Sequence, residues 1–298
     1  MRKILSLVMM LFMALLMPLY AQNALVIVAH GAPSKIWNVP VMKLEKNVQE
    51  ELKSRGITGF SYVRVALMEF TEPSVSTVIH DCEQQKVEHI FVLPLFISPS
   101  SHSEQDVPNI LGLKYNVQTL SALSEEGTKL VHTNIPITIG PTLSYGTVIQ
   151  NIITDRIKEL SIGKTNVSFV LLAHGDPEYL PFWQQMIQNT GDTVAQRTGV
   201  SYAGYAFVGM GQHFYQDLLP VAQNAAKTHK TILLQGIYLA NGVKGMSMIA
   251  LTDKKQKKYQ EEMPKEADFV YGTDGLLPDT RVCKWIVDRA VEWLKRAD

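Results

Sequence analysis

The sequence is poor in cysteine, has no charge imbalance and lacks the common nucleotide and nucleophile motifs. Two cysteines among 298 residues exclude a disulfide-framed scaffold and a cysteine-based zinc finger. Lys+Arg and Asp+Glu both number 28, so the formal net charge is zero. That argues against a nucleic-acid binder, because phosphate contact calls for a basic face. Charged residues are 19% and hydrophobic residues 46%, which excludes a disordered chain and suits one that buries a sizeable core. No GxGxxG follows an apolar run, which disfavours a dinucleotide enzyme and leaves no nucleotide cofactor expected. No GxSxG elbow occurs, which disfavours a serine hydrolase of that design. Beyond the first 22 residues, no stretch is long and apolar enough to span a membrane.

The first segment reads as an export signal. Arg2 and Lys3 precede an apolar run from Ile4 to Leu16, then Pro18 and Leu19-Tyr20-Ala21. A basic start, a short apolar run and a small residue at the expected cut describe a secretory signal peptide over residues 1–21. The run is too short to span a bilayer comfortably, so no membrane anchor is expected after cleavage, and no Cys near the cut suggests a lipid anchor. The mature chain would keep 26 basic and 28 acidic residues, a charge of −2, and its expected location is the periplasm. Cys82 and Cys283 would then face an oxidising compartment. They lie far apart in helix-like segments, and two separate buried thiols are favoured over a bridge.

An internal repeat organises the remainder. Residues 25–33 read LVIVAHGAP and residues 169–177 read FVLLAHGDP. A second echo pairs HIFVLPLFISPSSH (89–102) with KTILLQGIYLANGVK (230–244). The offsets are 144 and about 142 residues, and two matches in one order indicate a duplicated domain. Strand-like runs fall at 24–29, 61–67, 89–97 and 135–139, then at 167–173, 202–208, 231–239 and 267–271. Helix-like runs fall at 38–55, 74–86 and 145–160, then at 180–198, 213–228 and 279–296. Continuous apolar strands alternating with helices indicate parallel sheets. The expected fold is α/β, with two tandem, duplicated lobes, each a central parallel sheet flanked by helices. The lobes are placed at 22–162 and 163–298, joined near 160–166. The charged segment 252–265 is read as a solvated helix or surface insertion.

Ligands of open parallel sheets bind beyond the carboxyl ends of the strands. Three candidates fall there in the first lobe. His30 ends the first strand, Glu69 follows the second, and His102 follows the third. Two imidazoles and a carboxylate form a three-ligand set with open positions, suited to cobalt, nickel, iron or zinc. Each residue alone is more often a hydrogen-bonded or solvated strand end than a ligand, and it is their joint position at one sheet edge that favours the ligand reading. Gly31 and Pro33 permit a sharp turn toward a ligand, or simply a tight strand-to-helix turn. Ser98, Ser100 and Ser101 either hydrogen-bond acidic groups of a ligand or form a plain polar turn. Asp106 either orients His102 or caps the helix that begins there.

These residues carry a family resemblance. VAHG (28–31), MEFTEP (68–73) and PLFISPSSHSEQDVP (94–108) resemble, in order and spacing, the class II sirohydrochlorin chelatases. The resemblance covers residues 24–160, and the second half resembles the same family more faintly, as in its two-lobed long form. It implies ATP-independent insertion of a divalent metal, with cobalt favoured over iron or nickel, into sirohydrochlorin or a related tetrapyrrole. It also implies that His30 and His102 handle the metal and act in catalysis, with Glu69 as an acidic ligand and Glu72 as its fallback. Asp106 and Pro108 match the family's helix start. In the second lobe His174 persists, but Lys244 stands near the position of His102, and AFVGMGQ has no carboxylate at that of Glu69. A degenerate second site is expected: either His174, Gln212, His213 and Lys244 wall a cleft and Lys244 meets tetrapyrrole carboxylates, or Lys244 is simply solvated and His174 is a relic of the duplication.

Two other readings stand beside this one. An exported metal- or haem-binding carrier without turnover accounts for the signal segment. A periplasmic solute-binding protein also has two α/β lobes, although here the histidines gather in one lobe. Because one chain supplies both lobes, a monomer or a homodimer is compatible with the sequence.

Overall fold

The computed structural model describes residues 22–69, 71–209 and 211–297. The expected export segment, 1–21, lies outside the described residues. Each half forms a four-stranded parallel sheet. The first contains β1 (Asn23–Ala29), β2 (Phe60–Leu67), β3 (His89–Pro94) and β4 (Ile137–Ile139) in the order β2-β1-β3-β4. The second contains β5 (Val167–Ala173), β6 (Ser201–Phe207), β7 (Thr231–Ile237) and β8 (Asp268–Tyr271) in the order β6-β5-β7-β8. The identical orders bear out the duplication and the α/β class. The central strands β1 and β5 are apolar because helices cover both faces. Leu25, Val26, Ile27, Val28 and Ala29 all have 0% exposure, as expected of a parallel sheet buried on both sides.

Helices α1 (Lys35–Ser54) and α2 (Val75–Gln84) follow β1 and β2. Ser74 caps α2, its Oγ accepting the Thr77 N–H at 3.2 Å. After β3 come one π-helical turn (His102–Asp106), the short α3 (Val107–Ile110), α4 (Val117–Glu125) and, past β4, α5 (Val148–Ser161). The second half carries α6 (Leu180–Thr198), α7 (Phe214–Ala226), α8 (Val243–Ala250), α9 (Lys254–Glu261) and α10 (Thr280–Ala297). The charged 252–265 segment is thus largely α9. It is tied down where the buried Gln256 accepts the Tyr215 N–H at 2.8 Å, at the start of α7. Cys82 and Cys283 are buried and unbridged. Among the described residues, no helix is long and apolar enough to cross a membrane.

Alternate side chains of each strand leave by opposite faces. Ala24, Val26 and Val28 face α2, α3 and α4, and Val170 and Leu172 of the second sheet face α7 and α8. Leu25, Ile27 and Ala29 join Phe169, Leu171 and Ala173 in one core shared by both lobes. Its helices are exchanged. α5, from the first half, packs on α6 and β7, while α10, from the second half, packs on α1 and β3. Trp293 of α10 stacks on Phe91 and Phe60 of the first sheet, with ring centroids 5.3 and 5.8 Å apart. Arg55 at the end of α1 meets Asp288 of α10 at 2.6 Å.

Candidate metal centre

Three loops converge beyond the carboxyl edge of the first sheet. β1 lies between β2 and β3, so the chain leaves it at the switch point where parallel sheets form their crevice. Pairing of β1 with β2 continues past the strand ends. The Met68 N–H donates to Ala29 O and the Glu69 N–H donates to His30 O, at 2.8 and 2.9 Å. Glu69 is thereby held beside His30. Gly31 makes this approach possible: its φ is +88°, and a Cβ there would lie 2.4 Å from Glu69 O. After β3, the π-turn presents His102 to the same point.

One donor atom from each of His30, Glu69 and His102 fits within a span of 4.8 Å, and all three residues are half-buried. His30 Nε2 lies 3.7 Å from Glu69 Oε1. The imidazoles meet edge to face, with centroids 4.6 Å apart and planes at 73°. The second nitrogen of each ring is already engaged. His30 Nδ1 lies 2.7 Å from Gly31 O, and His102 Nδ1 lies 2.7 Å from Asp106 Oδ2. A carbonyl and a carboxylate can only accept, so Nδ1 carries the proton in both neutral rings and Nε2 offers the lone pair. That is the usual way a protein prepares a metal-binding histidine. Phe96 stacks on His102 at 5.9 Å and limits the rotation of its ring.

The electrostatics favour a held cation. Burial raises the Glu69 carboxyl above its usual range, partly opposed by the charge of His30. Burial alone would lower His102, but its hydrogen bond to Asp106 and the charges of Asp106, Glu69 and Asp176 outweigh it and raise the imidazole. The carboxylates of Asp106, Glu69 and Asp176 that favour an imidazolium here would favour a divalent ion in the same place.

The other expected residues are placed as follows. Glu72 is spent elsewhere, accepting the Ser74 N–H at 2.5 Å, a bond that holds its carboxyl low despite some desolvation. Asp106 makes no side-chain cap to α3 and instead orients His102. Pro108 lies in the first turn of α3. Ser98 and Ser100 are buried, and the Ser100 N–H donates to Ser103 Oγ at 2.9 Å. Ser101 turns toward the second lobe, where its N–H and Oγ–H both donate to Asp176 Oδ2, at 2.8 and 3.0 Å.

The second lobe repeats the frame and drops the ligands. His174 Nδ1 bonds to Gly175 O, and the Gly209 N–H donates to His174 O at 3.2 Å. Gly209 therefore stands where Glu69 stands in the first lobe. Lys244 is exposed in the first turn of α8, and Gln212 and His213 are exposed just before α7. Among the described residues, the first lobe alone supplies a metal-type cluster. Sequence reasoning missed Asp176, Tyr179 and Trp183 as neighbours of the first site. The trace was visible where the repeats differ, Ala32 against Asp176.

Residues 24–160 match the CbiX family model. A sirohydrochlorin cobaltochelatase of Methanopyrus kandleri is 31% identical over 142 residues, which cover 46% of this chain and 95% of that relative. One of Methanococcus maripaludis is 36% identical over 91 residues, 30% of this chain and 59% of the relative, so the match spans about three fifths of that protein. A chloroplastic sirohydrochlorin ferrochelatase of Arabidopsis thaliana is 30% identical over 88 residues, 30% of this chain and 36% of the relative. The crystal structure of the sirohydrochlorin chelatase SirB from Bacillus subtilis subspecies spizizenii, in complex with cobalt, superposes with a TM-score of 0.58. It covers 91% of this chain and 94% of that one at 15% identity, a likeness of fold. A relative matched along nearly its whole length, a family model seated on the first lobe and the shared two-lobed fold place this chain in the CbiX-type sirohydrochlorin chelatase family.

Proposed function

We propose that this protein inserts a divalent metal into sirohydrochlorin or a closely related tetrapyrrole, without a nucleotide. The carrying observation is the convergence of His30, Glu69 and His102, with donor atoms within 4.8 Å, at the carboxyl edge of the first sheet. The relatives named for cobalt and iron insertion support the same reading. Cobalt is the first choice of metal substrate, with iron and nickel as alternatives, since two imidazoles and a carboxylate suit all three.

Metal and macrocycle meet at this set. Neutral His30 and His102 present the ion through Nε2, and Glu69 completes a three-point hold with positions left open for ring nitrogens. Entry of one divalent ion releases two protons from the inner N–H groups. Glu69 and His30 are the acceptors, and the protons then pass to solvent. Glu69 suits this role because burial has already raised its carboxyl toward protonation. Cleft closure bends the macrocycle so that its nitrogen lone pairs face the ion, with distortion supplied by binding energy from the rest of the ring. Ile36 and Val39 are exposed on the first turns of α1, just past the His30 loop, and offer an apolar rest for the ring. His174 and Lys244 face the substrate from the second lobe, where Lys244 meets peripheral carboxylates.

The mature chain acts outside the cytoplasm, as the Arg2-Lys3 start, the apolar run and Ala21 support. Amino-terminal sequencing of the exported protein should begin at Gln22.

The test is visible absorption of excess sirohydrochlorin with cobalt, iron or nickel under anaerobic conditions. Many turnovers per protein are expected, with cobalt fastest. A spectral shift that stops after one equivalent would replace this reading with that of an exported carrier.

A further inference from the structure

The second lobe does more than close a cleft: we infer that Asp176 is a positioning residue for His102, acting across the lobe boundary through Ser101. The inference rests on the metal role proposed for His102, but its contacts are independent of that role.

Asp176 follows the His174-Gly175 turn in the lobe whose own site is degenerate. Its two oxygens are divided between two tasks. Oδ1 accepts the N–H groups of Glu178 and Tyr179, at 2.9 and 3.0 Å, which shapes its own loop. Oδ2 accepts the N–H and Oγ–H of Ser101, at 2.8 and 3.0 Å. Ser101 is the residue before His102 and opens the π-turn. Two further contacts fasten the same segment to the same region of the second lobe. Trp183 Nε1–H donates to Pro99 O at 2.9 Å, and Gln105 Nε2–H donates to Tyr179 Oη at 2.9 Å. Residues 99–105 are therefore held at three points by residues 176–183.

The brace is one-sided. Ala32 occupies the position of Asp176 in the first lobe, and its backbone is bonded instead to Asn38 of its own lobe. Two equal lobes would make such a contact twice. Among the described residues the His102 loop alone receives it, and the acceptor comes from the lobe without a metal-type cluster. The π-turn makes the brace useful, since a wider helical turn is found where a side chain must be placed for function. A ligand loop fixed from outside loses less freedom when it binds, which raises affinity without a new contact to the ion.

Asp176→Asn separates the two tasks, because its single carbonyl oxygen can keep the local turn while the cross-lobe acceptor is lost. Arg55→Ala is the control, since it removes the Arg55–Asp288 lobe contact far from the site. Three readouts are compared: hydrogen exchange of the Ser101 amide, the ring resonances of His102, and the affinity for cobalt alone. Asp176→Asn should speed Ser101 exchange, broaden or split the His102 signals and weaken cobalt about tenfold, the low end of losses for residues that orient ligands. Arg55→Ala should do none of these. Unchanged exchange and cobalt affinity in Asp176→Asn, or the same losses in Arg55→Ala, would overturn the inference. Wild-type protein that binds no cobalt would remove the chelatase reading, while Ser101 exchange and the His102 signals would still decide the brace.

Discussion

His30 and His102 lie 72 positions apart in sequence, yet their rings meet edge to face with centroids 4.6 Å apart. Two hydrogen bonds through Nδ1 put the lone pair of each neutral ring on Nε2. Each ring supplies a third of the hold. His30→Ala and His102→Ala should each lower cobalt affinity and turnover by at least about 100-fold, the upper range for losing a residue that merely orients a ligand. Circular dichroism of both variants should match the wild type, because neither ring lies in the apolar core. Retained turnover in both would refute the assignment.

Glu69 and Glu72 differ by three positions and have opposite surroundings. Glu69 faces His30, whereas Glu72 is bonded at the start of α2. Glu69→Gln should therefore depress turnover strongly, while Glu72→Ala leaves turnover intact and costs about 1 kcal/mol through the lost cap-like bond. Steady-state rates and thermal melts of the pair provide the check.

Asp106 sets the acid limb of activity. Its hydrogen bond holds the His102 imidazolium above the ordinary histidine range against the effect of burial. Metal needs the neutral ring, so cobalt binding should weaken as pH falls through a value above about 6.5, the unperturbed histidine pKa. Asp106→Asn removes the raising partner, so the limb should move to lower pH even as affinity at high pH declines. Cobalt titrations across pH 5–9 check the direction, and a limb that moves upward or stays fixed would contradict the assignment.

Gly31 and Gly175 provide a matched pair. Both have left-handed φ, +88° and +78°. A Cβ at Gly31 would meet Glu69 O, whereas one at Gly175 would meet the Phe207 side chain. Each Gly→Ala change should cost about 1–3 kcal/mol from backbone strain alone. Only Gly31→Ala should also lose cobalt affinity, because it pushes Glu69 away from His30. Melting temperature and cobalt titration read the two effects separately.

Trp293 is the aromatic anchor of α10 on the first sheet. Trp293→Ala should destabilise the protein by about 3 kcal/mol, the low end for removing a large aromatic from a core. Chemical denaturation followed by circular dichroism would measure it, with loss at both lobes in a single transition.

The strands were legible because burial on both faces writes them as unbroken apolar runs. LVIVA and FVLLA could be little else, and all eight expected strand positions are occupied. The third run was expected to reach residue 97, but β3 ends at Pro94, which has no N–H for the ladder. The Leu95 N–H still donates to Val28 O at 2.7 Å, so the apolar pattern outlasts the strand. α3 and α4 escaped notice because one is a single turn and the other buries only Leu123 among its nine residues. The convergence of His30, Glu69 and His102 followed from one rule about sheet edges and from the family motifs. The clasp by Asp176 did not, because it depends on how two lobes dock, and no local period records that.

The exchange of α5 and α10 imposes an order on the making of the protein. The surface of β2 and β3 that Trp293 covers is built from the first hundred residues, but its cover, α10, follows the whole second sheet in the chain. The emerging first half must therefore keep an apolar side in waiting until α10 arrives. It also means that a fragment cut at residue 162 would carry His30, Glu69 and His102 and still lack part of its own interior.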